Sequence, residues 1–408
     1  MDKNKIIEIS DKIILIFLTI QIFSVSFSIA LSSISFGVWG GLWILQIIIF
    51  HKLDFPLNLK KDIFIVNIFI AFYILSVILS RVFAVIPEGA FNTLKTLLLF
   101  MIFYGLIIKI KDKNIFYKIL TSILIIFSLV SVYELLRYAI AFTELNKTVS
   151  AGEIRIDYLG HYLTMGEIKM LIALTVMPLI FAKGKIFINK LYLVLLLVPI
   201  LISMYLTQSR NVFLALFICL LIYGIFINRR FLFYFAIFLV AFWLLIPGQF
   251  KERLTSIVDP NHPSNASRLM MWNVGLKMFA DHPVTGIGDN EITTVYKMYK
   301  IPEFSGEGSH LHSNYIMILA TTGLIGTIAF LGLFISLFWK QIKFYRDTKI
   351  EEDKLIIAGA ILSTISLHIS GFFQWNFGDW KVFTVILFII SIPYILKNLN
   401  DKLKLKEN

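Results

Sequence analysis

The chain contains a series of continuously apolar segments, each long enough to cross a lipid bilayer as an α-helix. A bilayer core is about 30 Å thick and a helix rises about 1.5 Å per residue, so one crossing needs about 20 apolar residues. Strands of a membrane β-barrel would instead alternate polar and apolar residues in runs of about ten. The segments therefore predict an all-α polytopic membrane protein.

We predict about twelve transmembrane helices. The predicted spans are 13–32, 35–50, 62–80, 95–110, 116–140, 165–182, 190–208, 211–228, 231–247, 313–338, 354–373 and 380–397. The composition agrees, because 58% of the 408 residues are hydrophobic and only 16% are charged. A soluble domain has about a quarter charged residues. The single cysteine, Cys219, excludes a disulfide framework and a multi-cysteine metal site.

Lysine and arginine alternate between the two sides of this predicted bundle. One side holds 24 of the 38 basic residues, and every short loop agrees with the alternation. Cytoplasmic loops collect Lys and Arg, so both termini are predicted to be cytoplasmic. The formal net charge of +12 is then a signature of membrane topology, and no nucleic-acid partner is expected.

The predicted helices divide the chain into three parts. Residues 1–247 form helices one to nine, residues 248–312 form a large outer loop, and residues 313–408 form helices ten to twelve with a tail. A loop of this length is uncommon unless it is functional. Within it, residues 264–280 predict an amphipathic helix. The residues expected to share its apolar face are Leu269, Trp272, Leu276 and Phe279.

Four ionisable residues on the outer side are candidates for chemistry. Arg210 lies in a very short hairpin between the seventh and eighth spans, and Arg268 begins the amphipathic helix. An arginine can simply extend to the membrane interface or lie on a solvated helix face, but charges at membrane depth are often functional. His310 and His312 flank Leu311 just before the tenth span. No acidic pair accompanies them, so we expect no metal ion there.

His312 is followed by two glycines at helical spacing. Gly323 lies eleven residues after His312, which returns to nearly the same helix face, and Gly326 lies close to the same stripe. Glycines three residues apart let a helix pack closely on its neighbour. The pattern therefore predicts that His312 points into the bundle. The partial positive charge of the helix N-terminus would favour its neutral, basic form.

Four motifs in this region carry a resemblance to a known family. They are Ser209-Arg210-Asn211; Ser267-Arg268 with Trp272; His282-Pro283 with Gly286 and Gly288; and His312-Ser313 with Gly323, Gly326 and Thr327. In order and spacing they resemble the bacterial O-antigen ligases, whose superfamily also contains O-antigen polymerases and protein O-oligosaccharyltransferases. The resemblance covers about residues 200–330 closely and the remaining chain only in topology. Ile328 stands where the ligase motif often has a further glycine.

The resemblance implies a GT-C-like helical fold and an inverting, metal-independent glycosyltransferase of the bacterial inner membrane, with its active site on the periplasmic face and no cofactor. It would move a glycan from undecaprenyl diphosphate to an acceptor hydroxyl, for a ligase that of a lipid A–core sugar. His312 would be the catalytic base, and Arg210 and Arg268 would bind the diphosphate. Arg155 and His310 are further candidates for substrate binding. The implied partners are the lipid-linked glycan, the glycan acceptor and membrane lipids.

Two alternatives remain open from the sequence. A polymerase of the same superfamily would extend a second lipid-linked repeat unit instead of a lipid A–core acceptor. A transporter or flippase of anionic lipid-linked substrates would also place cations in a membrane cavity. A transporter is expected to hold its main charges near the membrane midplane, whereas a transferase needs Arg210, Arg268 and His312 around one outer cavity.

Overall fold

The fold is known from a computed structural model that describes residues 3–50, 55–88, 94–145, 155–245, 248–257, 259, 261–300 and 310–407. No strand occurs within these ranges. The α-helices are α1 (Lys3–Ser24), α2 (Ile29–Phe50), α3 (Lys60–Val82), α4 (Met101–Lys109), α5 (Lys113–Leu145), α6 (Tyr162–Val176), α7 (Lys190–Leu206), α8 (Arg210–Phe226), α9 (Arg229–Leu245), α10 (Gly248–Thr255), α11 (Pro263–Asp281), α12 (Ile292–Tyr299), α13 (Asn314–Asp347), α14 (Glu351–Ser370) and α15 (Trp380–Glu407).

The structure confirms an all-α polytopic membrane protein. A helix lies at each of the twelve predicted positions, and the helices between α9 and α13 belong to the predicted outer loop. Within the described ranges, seven helical segments are long and apolar enough to cross a membrane, and α7 and α8 are shorter apolar helices. The count of twelve crossings stays a prediction.

The first predicted span, 13–32, was wrong at its outer boundary. Helix α1 ends at Ser24 and α2 begins at Ile29, so a turn interrupts the predicted segment. The amide of Ser28 donates to the carbonyl of Ser24 at 2.6 Å, and the Ser26 hydroxyl donates to the carbonyl of Phe23 at 2.7 Å. Serine side chains satisfy carbonyls that a helix end leaves open, so an apolar run can turn there without polar groups left unpaired.

The centre of the bundle is α15, whose apolar segment is buried along nearly its whole length. It packs against α4, α6 and α14, while α1 and α2 form a hairpin at one side and α13 packs along α3. By contrast α9 contacts mainly α8 and exposes most of its apolar side chains. Because those exposed side chains are large and apolar, their solvent in a membrane protein is lipid.

The bundle has two chemically different ends. At one end, here called the basic end, α1, α3, α5, α7, α9 and α14 begin and α2, α4, α8, α13 and α15 end. The opposite end, here called the loop-rich end, carries α10, α11 and α12 and the segments before α6, α8, α13 and α15. Most of the lysine and arginine residues that alternate in sequence lie near the basic end. All the predicted site residues lie at the loop-rich end.

Candidate active site at the loop-rich end

Helix α11 forms as predicted, but with a different side buried. Leu269, Trp272, Leu276 and Phe279 were predicted to share the apolar face, and of these Leu269 and Leu276 are about half exposed. The buried residues are Met271, Val274, Gly275 and Met278. Both sets have helical spacing, so the pattern alone could not choose between them. Gly275 decides the outcome, because it lets Ile316 and Leu311 approach the helix backbone.

The segment after α11 lies against α13 where that helix is kinked. Gly323 has φ +63° inside α13, a conformation that favours glycine. The amide of Leu324 donates to the carbonyl of Pro283 at 2.8 Å, and the amide of Ile287 donates to the carbonyl of Ala320 at 3.0 Å. Gly323 thus allows a break in α13, and the segment that follows α11 docks into that break.

This kink corrects the assumption of one continuous helical stripe from His312 through Gly326. His312 precedes α13, which begins at Asn314, and the helix is interrupted at Gly323. Gly326 lies beyond the kink, where an added Cβ would come within 3.3 Å of the Ser76 hydroxyl on α3. The side chain of His312 is therefore positioned by the coil before α13 and its contacts, and not by helical periodicity.

Arg210 and Arg268 line the same cavity, which has a volume of about 520 Å³. Its walls also include Arg155, from the segment before α6, and Glu252 from α10. The Arg210 guanidinium donates to the carbonyl and hydroxyl oxygens of Ser256, each at 2.9 Å, and also contacts Ser264. These contacts fix the guanidinium in the cavity wall, at the beginning of α8.

A second, mainly apolar cavity of about 180 Å³ adjoins the first. The two share Arg210, Asn211 and Arg268, and the second adds Trp272 and Phe373. The Trp272 and Phe373 rings lie 6.2 Å apart between centroids. The polar cavity therefore continues into an apolar one, with guanidinium groups at the junction.

Several hydrogen-bond donors at this junction have no partner within the described part of the chain. They are Nε of Arg268, Nε1 of Trp272 and Nδ2 of Asn211, all of them buried atoms. A buried donor without an acceptor costs about 1–3 kcal/mol, so such groups in one place suggest a ligand that accepts hydrogen bonds. Oxygen atoms of a phosphate group would meet that requirement.

The cations of this site repel one another. Burial, and next the charge of Arg210, lower the pKa of Arg268, although a guanidinium remains protonated. The Arg155 guanidinium lies 4.7 Å from the centroid of the Tyr162 ring. No carboxylate within the described ranges lies within ion-pairing distance of Arg155, Arg210 or Arg268. An anionic ligand would relieve this repulsion.

His312 lies beside this cluster in a strained conformation. Its φ is +48°, and Gln208, in the cavity wall, has φ +54°. These are the two non-glycine residues with positive φ among those described. Such conformations cost about 1–3 kcal/mol and gather at functional sites. The Nδ1 atom of His312 lies 2.9 Å from Oε1 of Gln374.

The surroundings of His312 favour its neutral form. Burial lowers the pKa of His312, and the charges of Arg268 and His161 lower it further, whereas the hydrogen bond to Gln374 acts in the opposite direction. The net pKa lies below the ordinary value of 6.5. His312 does not line either cavity. It interacts with the site electrostatically, through the charge of Arg268.

His310 is closer to His312 than the sequence suggested. A helix would turn their side chains to opposite sides, but both residues precede α13 and their ring centroids are 4.1 Å apart. Burial and the neighbouring His312 and His161 lower the pKa of His310 to about 4. The two imidazoles therefore form one neutral pair at the edge of the site.

Sequence reasoning missed several residues that the fold brings to the site. Gln374 comes from the loop between α14 and α15, 62 residues after His312. Tyr162 and Ser256 come from separate segments that join only in three dimensions. Asn211 and Trp272 were named only as members of motifs. The sequence signal for Asn211 and Trp272 was that they belong to the same motifs as Arg210 and Arg268. No motif or spacing in the sequence indicates Gln374.

Comparisons with known proteins agree with this geometry. Residues 193–331 match the family described as O-antigen ligase. A segment of 124 residues is 26% identical to the teichuronic acid biosynthesis protein TuaE of Bacillus subtilis (strain 168), and it covers 28% of this chain and 25% of that relative. The matching segment thus spans a quarter of the relative's length. The matched residues 193–331, which hold Arg210, Arg268 and His312, are thus similar to the O-antigen ligase family.

Proposed function

We propose that the protein is a glycosyltransferase that moves a glycan from undecaprenyl diphosphate to an acceptor hydroxyl. The observation that carries this proposal is the junction of the two cavities. There Arg210 and Arg268 line one cavity without a carboxylate partner among the described residues, beside buried donors on Trp272 and Asn211. The arrangement suits a lipid-linked diphosphate, whose anionic head would lie in the polar cavity and whose chain would begin in the apolar one.

In the proposed reaction His312 accepts the proton of the acceptor hydroxyl. The acceptor oxygen forms a bond to the anomeric carbon while the bond from that carbon to the diphosphate oxygen breaks. The diphosphate leaves with the electron pair, and Arg210 and Arg268 stabilise the charge that develops. Attack opposite the leaving group inverts the anomeric centre. No step requires a metal ion, and Arg155 would contact a phosphate or the first sugar.

We further propose that the site faces the periplasm from the inner membrane. The support is the position of the site at the end opposite the basic end, since Lys and Arg collect on the cytoplasmic side. Reporter fusions at Ser264 and Lys402 are expected to give opposite signals, with Lys402 cytoplasmic. The same signal at both positions would contradict the proposed topology.

The ligase and the polymerase differ only in the acceptor. A ligase would use the hydroxyl of a lipid A–core sugar, and a polymerase would use a second lipid-linked repeat unit. The Bacillus subtilis relative is named for teichuronic acid biosynthesis and not for ligation, which keeps polymerisation as the second candidate. A transporter is less favoured, because the guanidinium groups gather at one end of the bundle.

One assay tests these candidates together. The purified protein in lipid nanodiscs is given radiolabelled glycan on undecaprenyl diphosphate, with either a core glycolipid or unlabelled lipid-linked repeat unit. Label on the core glycolipid indicates a ligase, and a ladder of longer lipid-linked products indicates a polymerase. A separate experiment in sealed vesicles would reveal a transporter, because the labelled lipid would become protected from reagents added outside while no glycan is transferred. The last result would refute the proposed transferase.

A further inference from the structure

The loop between α14 and α15 supplies a hydrogen-bond partner to His312. Oε1 of Gln374 lies 2.9 Å from Nδ1 of His312. An amide oxygen can only accept, so a bond to it requires the hydrogen on Nδ1. In a neutral imidazole the other nitrogen, Nε2, then carries a lone pair. Which nitrogen holds the hydrogen decides which one can act as a base.

This loop is held firmly against the beginning of α13. Oδ1 of Asn314 accepts from the amides of Asn376 at 3.0 Å and Phe377 at 3.1 Å. The amide of Asn314 donates to the carbonyl of Gly371 at 2.7 Å. Asn314 is fully buried and lies two residues after His312. The same short segment thus presents the histidine and fastens the loop on both sides of Gln374.

The buried carboxyl group of Glu167 supports the loop from the side of α6. Oε1 of Glu167, on α6, accepts from the hydroxyl of Ser370 at 2.6 Å and from Nδ2 of Asn376 at 3.2 Å. Asn376 and Ser370 are themselves buried and bonded to each other at 2.8 Å. With both ends of the loop fixed, the carboxamide of Gln374 has little freedom to leave His312.

We propose that Gln374 is a positioning residue that holds His312 with its hydrogen on Nδ1 and leaves Nε2 free to accept the acceptor proton. The inference rests on the proposed function, in which His312 is the base. During transfer the proton moves from the acceptor oxygen to Nε2, and Nδ1 keeps its hydrogen and its bond to Gln374. A neutral amide can hold this bond in both charge states of the imidazole.

The chemistry of an amide suits this site better than that of a carboxylate. A carboxylate at position 374 would favour the imidazolium and raise the pKa of His312. Among the described residues, the charged and titratable groups that face His312 are Arg268 from α11, His161 from the segment before α6, and His310 on its own segment. None of these is an anion. Gln374 therefore orients the ring without opposing its neutral form.

The first test measures the proton position and needs no substrate. Histidine labelled with 15N in the full-length protein gives separate NMR signals for protonated and unprotonated ring nitrogens. His312→Gln identifies the His312 signals among the seven histidines. We expect the hydrogen on Nδ1 at pH 7.5, with a preference that falls about five- to tenfold in Gln374→Leu. A hydrogen on Nε2 in the unsubstituted protein would overturn the inference.

The second test uses kinetics. Gln374→Leu is expected to lower kcat about five- to tenfold with KM nearly unchanged, because one hydrogen bond that orients the base is lost. Gln374→Glu keeps an acceptor and adds a negative charge, so it should retain more activity and shift the acid limb of the pH profile upward. Phe372→Leu, at an exposed position of the same loop, is the matched control and should change neither kcat nor the midpoint of the pH profile.

The outcomes separate the inference from the proposed function. Two outcomes would overturn the positioning role. One is a normal kcat in Gln374→Leu. The other is a loss of kcat in Gln374→Glu as large as in Gln374→Leu, with no shift in the midpoint of the pH profile. If His312→Ala retains transfer, the general-base mechanism fails instead. Because the NMR measurement reports the tautomer without any transfer, it decides the inference even when the transferase proposal fails. Binding of inorganic pyrophosphate verifies that each variant keeps the arginine site.

Discussion

The two ends of the bundle treat their cations differently. At the basic end, lysines are paired with carboxylates, as in Lys109–Asp11 at 2.5 Å, Lys113–Asp353 at 2.7 Å and Lys340–Asp62 at 2.9 Å. At the loop-rich end, Arg210 and Arg268 have no such partner within the described residues, and Arg268 keeps a buried donor unsatisfied. Paired charges hold helices together, whereas unpaired ones at a cavity are available to a ligand.

The distinction also holds within the loop-rich end. Arg81 is 1% exposed and forms a two-pronged pair with Asp289, at 2.6 and 2.7 Å, that fastens the segment after α11 to the end of α3. Its structural role follows from that partner. Arg81 and Arg268 therefore differ in their surroundings, because Arg81 faces a carboxylate and Arg268 lines a cavity. Position relative to the membrane alone would not separate them.

The largest predicted loss of activity follows substitution of His312, at the loop-rich end. His312→Ala should lower turnover by about 10²–10⁴, the usual contribution of a general base. Binding of inorganic pyrophosphate should change less than about twofold, since charge-assisted bonds from the arginines supply that affinity. Turnover and binding measured on the same preparation check this. Normal turnover would show that another group accepts the proton.

The arginines should give the next largest effect. Arg210→Lys and Arg268→Lys each keep the charge but lose the planar, two-pronged donor geometry that suits phosphate oxygens. We expect transfer to fall about 10–100-fold, in line with loss of one or two charge-assisted hydrogen bonds. Lys340→Arg at the basic end is the control and should transfer at the normal rate. Equal effects at both ends would remove the distinction between them.

For the free energy of unfolding we expect the opposite order, with the larger loss from a substitution at the basic end. Lys113→Met leaves the fully buried carboxylate of Asp353 without its cation, although Tyr117 and Asn400 still donate to it. We expect a loss of about 2 kcal/mol, less than for a carboxylate left entirely alone. Arg268→Met leaves no described carboxylate unpaired and removes a buried donor that has no acceptor, so it should not lower the free energy of unfolding. Reversible unfolding in mixed detergent micelles compares the two; a larger loss in Arg268→Met would contradict the idea of unpaired site charges.

The sequence was sufficient for features that depend on local pattern. Long apolar runs identified the helices, because a bilayer-length helix needs no tertiary information. The motifs also led to Arg210, Arg268 and His312, which the structure brings to one end. The placement of Arg155 in the cavity wall likewise agrees with its selection as a candidate. Their roles in transfer are predictions that the experiments above address.

Features that depend on competing contacts could not be read from the sequence. In α11 two apolar faces had equal spacing, and the close approach allowed by Gly275 chose between them. At Gly323 the helical pattern continued, while docking of the segment at Pro283 broke the helix. Gln374 gave no local signal, because its partner is 62 residues distant. Each case is decided by a neighbour from another part of the chain.

The smallest predicted effect is the shift of the acid limb of activity. A general base works only when it is unprotonated, so kcat should be constant at high pH and fall as the pH drops through the pKa of His312. Burial, Arg268 and His161 together place that pKa below 6.5. At pH 6.5 the loss should therefore be less than twofold, whereas an unperturbed histidine would lose about half its activity. His310, with a pKa of about 4, should not titrate in this range. A profile of kcat between about pH 5 and 8 measures the midpoint, and His310→Ala should leave it below 6.5. A midpoint above 6.5 would mean that a negative charge reaches His312, and the lack of a carboxylate partner among the described residues would then no longer distinguish the site cations from the paired lysines of the basic end.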